Sequence, residues 1–460
     1  MSRSKDLAKN TLILSVGNFL PKLTLLVTLP IITGHLTKEE YGTYDLITTL
    51  ASLYLPAITL QIQSAAFRFL IDSRNLETEK KTIISNVYCF VIPVSAFAVI
   101  VLFIFLNWIN TSIRILIALY FFFNSILVIT QQITRGLSKN GLYSLSSIIQ
   151  SVLSMFLILF LSDIGLIGVL LSLLISSIFS CLLLQIGASL YRYFEPSLFS
   201  YDLLIRMIKY SWPMIPTALS LWVLSLSDRV VISTFLGLEA AGIYAVANKI
   251  PQQLNTVQST FAYAWQENAS LAVDDLDAAE YYSIVFDSVF CIICGFLAVL
   301  ISFYPFLFML LIKGNYNAAR AQIPILFGGF FFSAVSSLIG GIYIAHKRTK
   351  SLGISTIIAA VCNLVIDLGF VKCIGIYAAS ISTLCSYLFL AVYRMWDVNR
   401  FQTISYNLKK ILLSIIILAT MCCISWIDSI YSIAFNLFLG IFLALYLNWK
   451  IIRKLVSRRA

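Results

Sequence analysis

From residue 11 to residue 451 the chain is a succession of apolar stretches, each about 20 residues long, separated by short connections. A hydrocarbon core of ~30 Å needs about 20 mostly apolar residues per helix. Backbone in lipid must satisfy its own hydrogen bonds, which leaves only helices and closed barrels. Barrel strands would be ~10 residues long and alternate in polarity, and these runs do neither. The expected fold class is all-α integral membrane, with spans at roughly 11–33, 43–66, 84–106, 113–130, 142–162, 164–190 and 210–235, then 240–264, 284–311, 322–345, 350–370, 374–395, 408–427 and 429–449. That is about 14 transmembrane helices. Only 12% of the 460 residues are charged, which leaves no soluble domain large enough to fold alone. The first span follows Arg3, Lys5 and Lys9 with no small-residue cleavage site behind a short apolar core, so it is expected to remain as the first helix.

Basic side chains orient such a chain, because Lys and Arg collect in cytoplasmic loops. With the N-terminus inside, 24 of the 32 Lys and Arg fall in inner segments or at the inner ends of spans, five in outer loops or at outer ends, and three deep within spans. Both termini are therefore expected to be cytoplasmic, in the cell membrane. The net charge of +11 is a topological signal rather than a nucleic-acid footprint. The segment 267–280, rich in Asp and Glu, is placed inside although it holds no Lys or Arg. The nine cysteines lie mostly in apolar spans; Cys291 and Cys294 form one CxxC without a second pair or a nearby His, which argues against a metal. No phosphate-cradling glycine loop or Ser/His/Asp set is present, so neither a cofactor nor an enzyme is expected.

An internal echo divides the chain. Leu36, Glu39, Gly42 and Tyr44 recur as Leu236, Glu239, Gly242 and Tyr244, and Asp163-Ile164-Gly165 is echoed by Cys373-Ile374-Gly375. Both copies start inside, so the repeats are parallel and their pseudo-two-fold axis should run along the membrane normal. The domains read as a six-helix lobe over 1–190, a cytoplasmic linker over 191–209, a second six-helix lobe over 210–395, and two further helices with a basic tail over 396–460. The lobes are expected to face each other across a central cavity.

Ionisable groups within spans cost ~2.5–3.5 kcal/mol each at mid-helix on insertion scales and usually face a cavity. Asn18 and Lys22 share one face of the first helix beside Pro21. Gln61, Ser64 and Arg68 share one face of the second, with Arg68 at its cytoplasmic mouth. The eighth span is the most polar: nine of the thirteen residues from 248 to 260 are polar, with Asn248, Gln252, Asn255 and Ser259 on one face and Lys249 beside them. That surface must meet water, a polar ligand, or a hydrogen-bonding seam on another helix. Asp228 and Lys249 lie at matching depths on neighbouring helices and are expected to pair, leaving Arg229 to face the cavity or a neighbour. Asn363 and Asp367 share a face of the eleventh helix.

Asp228-Arg229, the run Phe235-Leu236-Gly237-Leu238-Glu239-Ala240-Ala241-Gly242-Ile243-Tyr244, Asn248-Lys249, Ala264-Trp265 closing the eighth helix, and the Asn363…Gly375…Ala378 pattern together resemble the polysaccharide-biosynthesis branch of the multidrug/oligosaccharidyl-lipid/polysaccharide exporter superfamily. The resemblance covers about residues 5–400; Gln266 departs from it, since relatives often have proline there. It implies a flippase that carries undecaprenyl-diphosphate-linked oligosaccharide units to the outer leaflet for O-antigen, capsule or a related polymer, working with a polymerase partner. It also implies that cationic residues of helices 1, 2 and 8 line the cavity, which here are Lys22, Arg68 and Lys249. A lipid diphosphate is a compact dianion that such groups attract strongly, while the amides of helix 8 suit sugar hydroxyls.

Two rivals stand beside this reading. A cation-coupled multidrug exporter of the same superfamily would need buried carboxylates and aromatic walls. A membrane polymerase or acyltransferase would need a long outer loop or an intramembrane His, and the longest outer connection here is about ten residues. No ATP-binding module is visible, so a proton or sodium gradient, or disposal of the substrate, would supply the energy. Alternating access needs a group whose interactions change between states; Asp228 is the first choice for coupling and Asp367 the second.

Overall fold

The computed structural model describes residues 17, 19–73, 76–107, 109–273, 275–427 and 429–457, apart from the side chains at 260, 263, 264, 267 and 450–457. Asn18, the start of the first span with its flanking basic residues, and Arg74 lie outside the described residues. Every regular element among the described residues is helical. The chain divides into two compact units, Met1–Trp222 and Val223–Ala460.

The first unit contains α1 (Leu25–His35), α2 (Lys38–Thr59), α3 (Ile62–Asp72), α4 (Glu77–Phe105), α5 (Thr111–Gly136), α6 (Asn140–Leu161), α7 (Leu166–Gly187) and α8 (Tyr201–Ser211). Thr37 and Glu40 form a capping box that starts α2: Thr37 Oγ1 accepts from the Glu40 amide, and Glu40 accepts from the Thr37 amide at 2.9 Å. The core packs Ile62, Ala65, Leu70, Ile84 and Val87 against Ile129, Ile133 and Met207. The short helix α8 is amphipathic, burying Leu203, Leu204 and Met207 while Arg206 and Lys209 stay exposed.

Helix α9 (Ile215–Leu236) leads into the second unit, which continues with α10 (Leu238–Lys249), α11 (Gln253–Leu271), α12 (Ala278–Leu311), α13 (Ile323–Ala345), α14 (Thr349–Ile374), α15 (Tyr377–Val398), α16 (Leu408–Ile424) and α17 (Ile430–Ser457). Its interior holds Trp265, Tyr282, Tyr304, Phe290 and Phe327, all almost fully buried. Arg394 is also buried and staples three helices: it donates to Ser355 Oγ at 3.2 Å, Thr356 Oγ1 at 2.8 Å and Ser336 O at 3.1 Å. Gly165 and Gly375, paired in the sequence echo, have nearly the same left-handed backbone (φ 69° and 61°), a conformation that glycine adopts without strain.

Among the described residues ten helices are long and apolar enough to cross a membrane, and the pair α2–α3 makes eleven if counted as one bent span. The protein is thus a multi-pass membrane protein, with fewer such helices than the fourteen expected. The shortfall has local causes. The first span is described only at Gly17 and from Phe19 on, as a short apolar helix Phe19–His35, and α16 has 17 residues. The expected eighth span is broken and polar. Pro251 has no amide hydrogen to give to Ala247 and splits the stretch into α10 and α11, with Gln253 N bonding to Ile250 O and Leu254 N to Pro251 O. Nor does that stretch end at Trp265, since α11 runs on to Leu271. The expected second span also bends, by 59°, where Leu60 and Gln61 both adopt left-handed backbone. That conformation costs about 1–2 kcal/mol per residue for a non-glycine. Ser211 Oγ donates to the freed Leu60 carbonyl at 2.8 Å and supports the bend.

Candidate functional site

The most unusual chemistry lies inside the second unit, where α9, α10, α14 and α15 meet. Asp228 on α9 is buried, and its Oδ2 accepts from Tyr244 Oη on α10 at 2.6 Å and from Thr383 Oγ1 on α15 at 2.8 Å. Its Oδ1 has no hydrogen-bond partner. Asp367 on α14 is fully buried, has no hydrogen-bond partner at either oxygen, and interacts electrostatically with Asp228. One turn before it, Asn363 accepts from Ser227 Oγ at 3.4 Å and donates to Ser382 Oγ at 3.2 Å. Three interior carboxylate oxygens therefore lack a donor, an arrangement whose burial is costly unless a proton or cation accompanies it.

The oxygens gathered here are hard donors: two carboxylates, an amide carbonyl and a threonine hydroxyl, held on three helices. Such a set suits a small hard cation or a proton rather than zinc or copper. Among the described residues no group of three or more His, Cys, Asp or Glu is placed to hold a metal. Buried Arg229 acts electrostatically on Asp228, so the two carboxylates leave one negative charge, which a proton or a singly charged ion balances in a low-dielectric interior.

The expected Asp228–Lys249 pair does not form. Tyr244 takes the place facing Asp228, and Lys249, five residues on, points about 140° away around the helix. Lys249 is half-buried. Arg229 is buried and donates to Ser225 O at 3.3 Å. Lys22 is exposed on the first unit. Arg68 is exposed too and pairs with Asp72 at 3.2 Å. Gln61 sits in the α2–α3 bend, where its Oε1 accepts from Gln63 Nε2 at 2.9 Å.

The polar face of the eighth span divides at Pro251. Asn248 is buried and donates to Tyr244 O at 2.9 Å. Gln252 is exposed. Beyond the break, α11 forms a seam with α13: Asn255 donates to Ser333 Oγ at 3.4 Å, Gln258 to Ser337 Oγ at 2.9 Å, and Trp265 Nε1 to Leu338 O at 2.7 Å. Ser259 bonds back to Thr256 O at 2.9 Å. In the sequence Tyr244 stands out only for the echo and the resemblance, not as a site residue, and Thr383 not at all. A tyrosine one helix away from a buried Asp, at matching depth, is the signal that could have found the first; nothing local marks the second.

A family described as polysaccharide biosynthesis protein matches residues 7–266. No curated protein matches the chain. Among solved structures, the lipid II flippase MurJ in an inward closed conformation is similar, with a TM-score of 0.71 and 14% identity over 97% of this chain and 100% of that one. A MATE in complex with MaL6 gives 0.59 and 12% over 85% and 96%. A MOP superfamily transporter from Pyrococcus furiosus, described as having a binding pocket of reversed polarity, gives 0.56 and 13% over 85% and 95%. At these identities the likeness is one of fold.

Proposed function

The chain belongs to the polysaccharide biosynthesis protein family, and from that premise we propose that it is a flippase for undecaprenyl-diphosphate-linked oligosaccharides, driven by a proton or sodium ion bound at Asp228 and Asp367. The observation that carries the coupling is the pair of interacting carboxylates with three oxygens unpartnered inside the second unit. Arg229 offsets one of these two like charges through its interaction with Asp228, and a bound proton or cation would neutralise the other. Helices that gather around that ion can then differ in energy between two conformations, which is what alternating access requires.

The anionic cargo follows from the basic groups. Lys22 is exposed and Lys249 half-buried, and both sit in stretches that are otherwise apolar or neutral. An ammonium binds a diphosphate through charge-assisted hydrogen bonds, as would the guanidinium of Arg68 or of Arg229. The exposed amide of Gln252 suits a sugar hydroxyl. The cargo would be delivered for a surface polymer, with a polymerase acting on it next, and the chain itself catalyses no bond change.

The buried carboxylates also favour a second reading, a cation-coupled exporter of cationic drugs. The two readings separate in cells that lack the protein. A flippase restores surface polymer and clears lipid-linked oligosaccharide from the inner leaflet; an exporter restores drug resistance and leaves the polymer absent.

A further inference from the structure

A cavity of about 570 Å³ opens between α12, α16 and α17, far in sequence from Asp228 and sharing no residue with its site. That volume lies within the range of small-ligand pockets. At one end, Lys410 Nζ on α16 sits 3.0 and 2.9 Å from Asp287 Oδ1 and Oδ2 on α12. The remaining wall is mostly apolar and aromatic: Phe442, Leu445, Tyr446 and Trp449 of α17, each about half or more exposed. Asn448 Nδ2 donates to Cys291 O at 3.1 Å and fixes α17 against α12 at this level. The wall is therefore built, not a gap between loose helices.

The ion pair is accessible, with 29% of the Lys410 side chain and 47% of the Asp287 side chain exposed. Exposed pairs of this kind contribute little and open readily. A ligand that opens it must replace both partners. A simple anion would pair with Lys410 but meet the like charge of Asp287, and a simple cation would meet the opposite conflict. A zwitterion answers both charges. Its phosphate accepts from the Lys410 ammonium, and a primary ammonium offers Asp287 three donors where a quaternary one offers none. Tyr446 and Trp449 are amphipathic side chains of the kind that settle at headgroup level, and Phe442 and Leu445 continue the wall into apolar depth.

We propose that the α12–α16–α17 cavity binds the headgroup of a zwitterionic aminophospholipid, phosphatidylethanolamine, with its phosphate on Lys410 and its ammonium on Asp287. The lipid is a bilayer component and not the cargo, so the site stands independently of the transport reading.

Native mass spectrometry of the purified full chain tests this, using an equimolar mixture of phosphatidylethanolamine, phosphatidylcholine and phosphatidylglycerol. The wild-type chain retains phosphatidylethanolamine in preference to both competitors. Asp287→Asn and Lys410→Gln each lower its retention by about tenfold, the loss of one charge-assisted contact, and erase the preference. Equal retention of the three lipids by the wild-type chain, or preference for phosphatidylglycerol, overturns the proposal without recourse to any variant. So does an unchanged preference in both variants when they elute as monodisperse protein.

Discussion

The phenolic hydroxyl of Tyr244 donates to Asp228 across the α9–α10 hairpin at 2.6 Å, and it does so beside a second carboxylate, Asp367, that has no donor at all. In the proposed coupling the two acids do different work. Asp228 is held by Tyr244 and Thr383, whereas no hydrogen bond holds Asp367. Removing the phenol with Tyr244→Phe takes away a hydrogen bond to a charged group, worth about 1.5–3 kcal/mol. The expected outcome is at least a tenfold weaker dependence of transport on the coupling ion, with protein still in the membrane. Ion titration of transport in membrane vesicles measures it.

The cationic groups give a second expectation. Lys22→Ala and Lys249→Ala should abolish surface polysaccharide while leaving protein in the membrane. Arg68→Ala should cost less, because Arg68 already shares its charge with Asp72 at 3.2 Å. Full surface polymer in both lysine variants would remove the diphosphate argument. Polymer staining beside a membrane immunoblot reads both quantities.

Accessibility along the broken eighth span should follow the hydrogen bonds. A cysteine at position 252, where Gln252 is exposed, should react with a soluble thiol reagent. Cysteines replacing buried Asn248 or Gln258 should be protected. Equal labelling at all three positions would show that α11 does not pack on α13 as described.

Gly341 is required where α11 and α13 touch. A Cβ there would meet Trp265 Cδ1 and Nε1 at 2.5 Å, on the indole that bonds to Leu338 O. Gly341→Ala should therefore destabilise the protein by about 1–3 kcal/mol, the usual range for overpacking. A thermal melt in detergent, compared with Gly353→Ala, where a Cβ meets nothing within 4 Å, isolates the clash.

Much of the fold was legible because long apolar runs admit only helices in lipid, and buried Asp228, Asn363 and Asp367 stood out against an apolar background. The errors came where local backbone chemistry overrides periodicity. Pro251 breaks the helix within a stretch whose polar residues recur at helical spacing, so periodicity alone gives one continuous span there. Leu60 and Gln61 carry no glycine or proline to announce their left-handed turn. The partner of Asp228 was misjudged because matched depth does not fix azimuth: Tyr244 and Lys249 sit on different sides of α10. Thr383 lies 155 residues from Asp228 in the chain, and only the folded unit brings the two together.

The central claim is that Asp228 and Asp367 couple lipid-linked sugar movement to an ion gradient. The direct measurement is translocation of a fluorescent polyprenyl-diphosphate oligosaccharide by the reconstituted full chain, with and without imposed sodium and proton gradients, for wild type, Asp228→Asn and Asp367→Asn. The amide variants keep shape and hydrogen bonding but carry no charge. The account predicts that one gradient accelerates the wild-type protein and that neither variant responds to it. Gradient dependence that survives in both variants would contradict it.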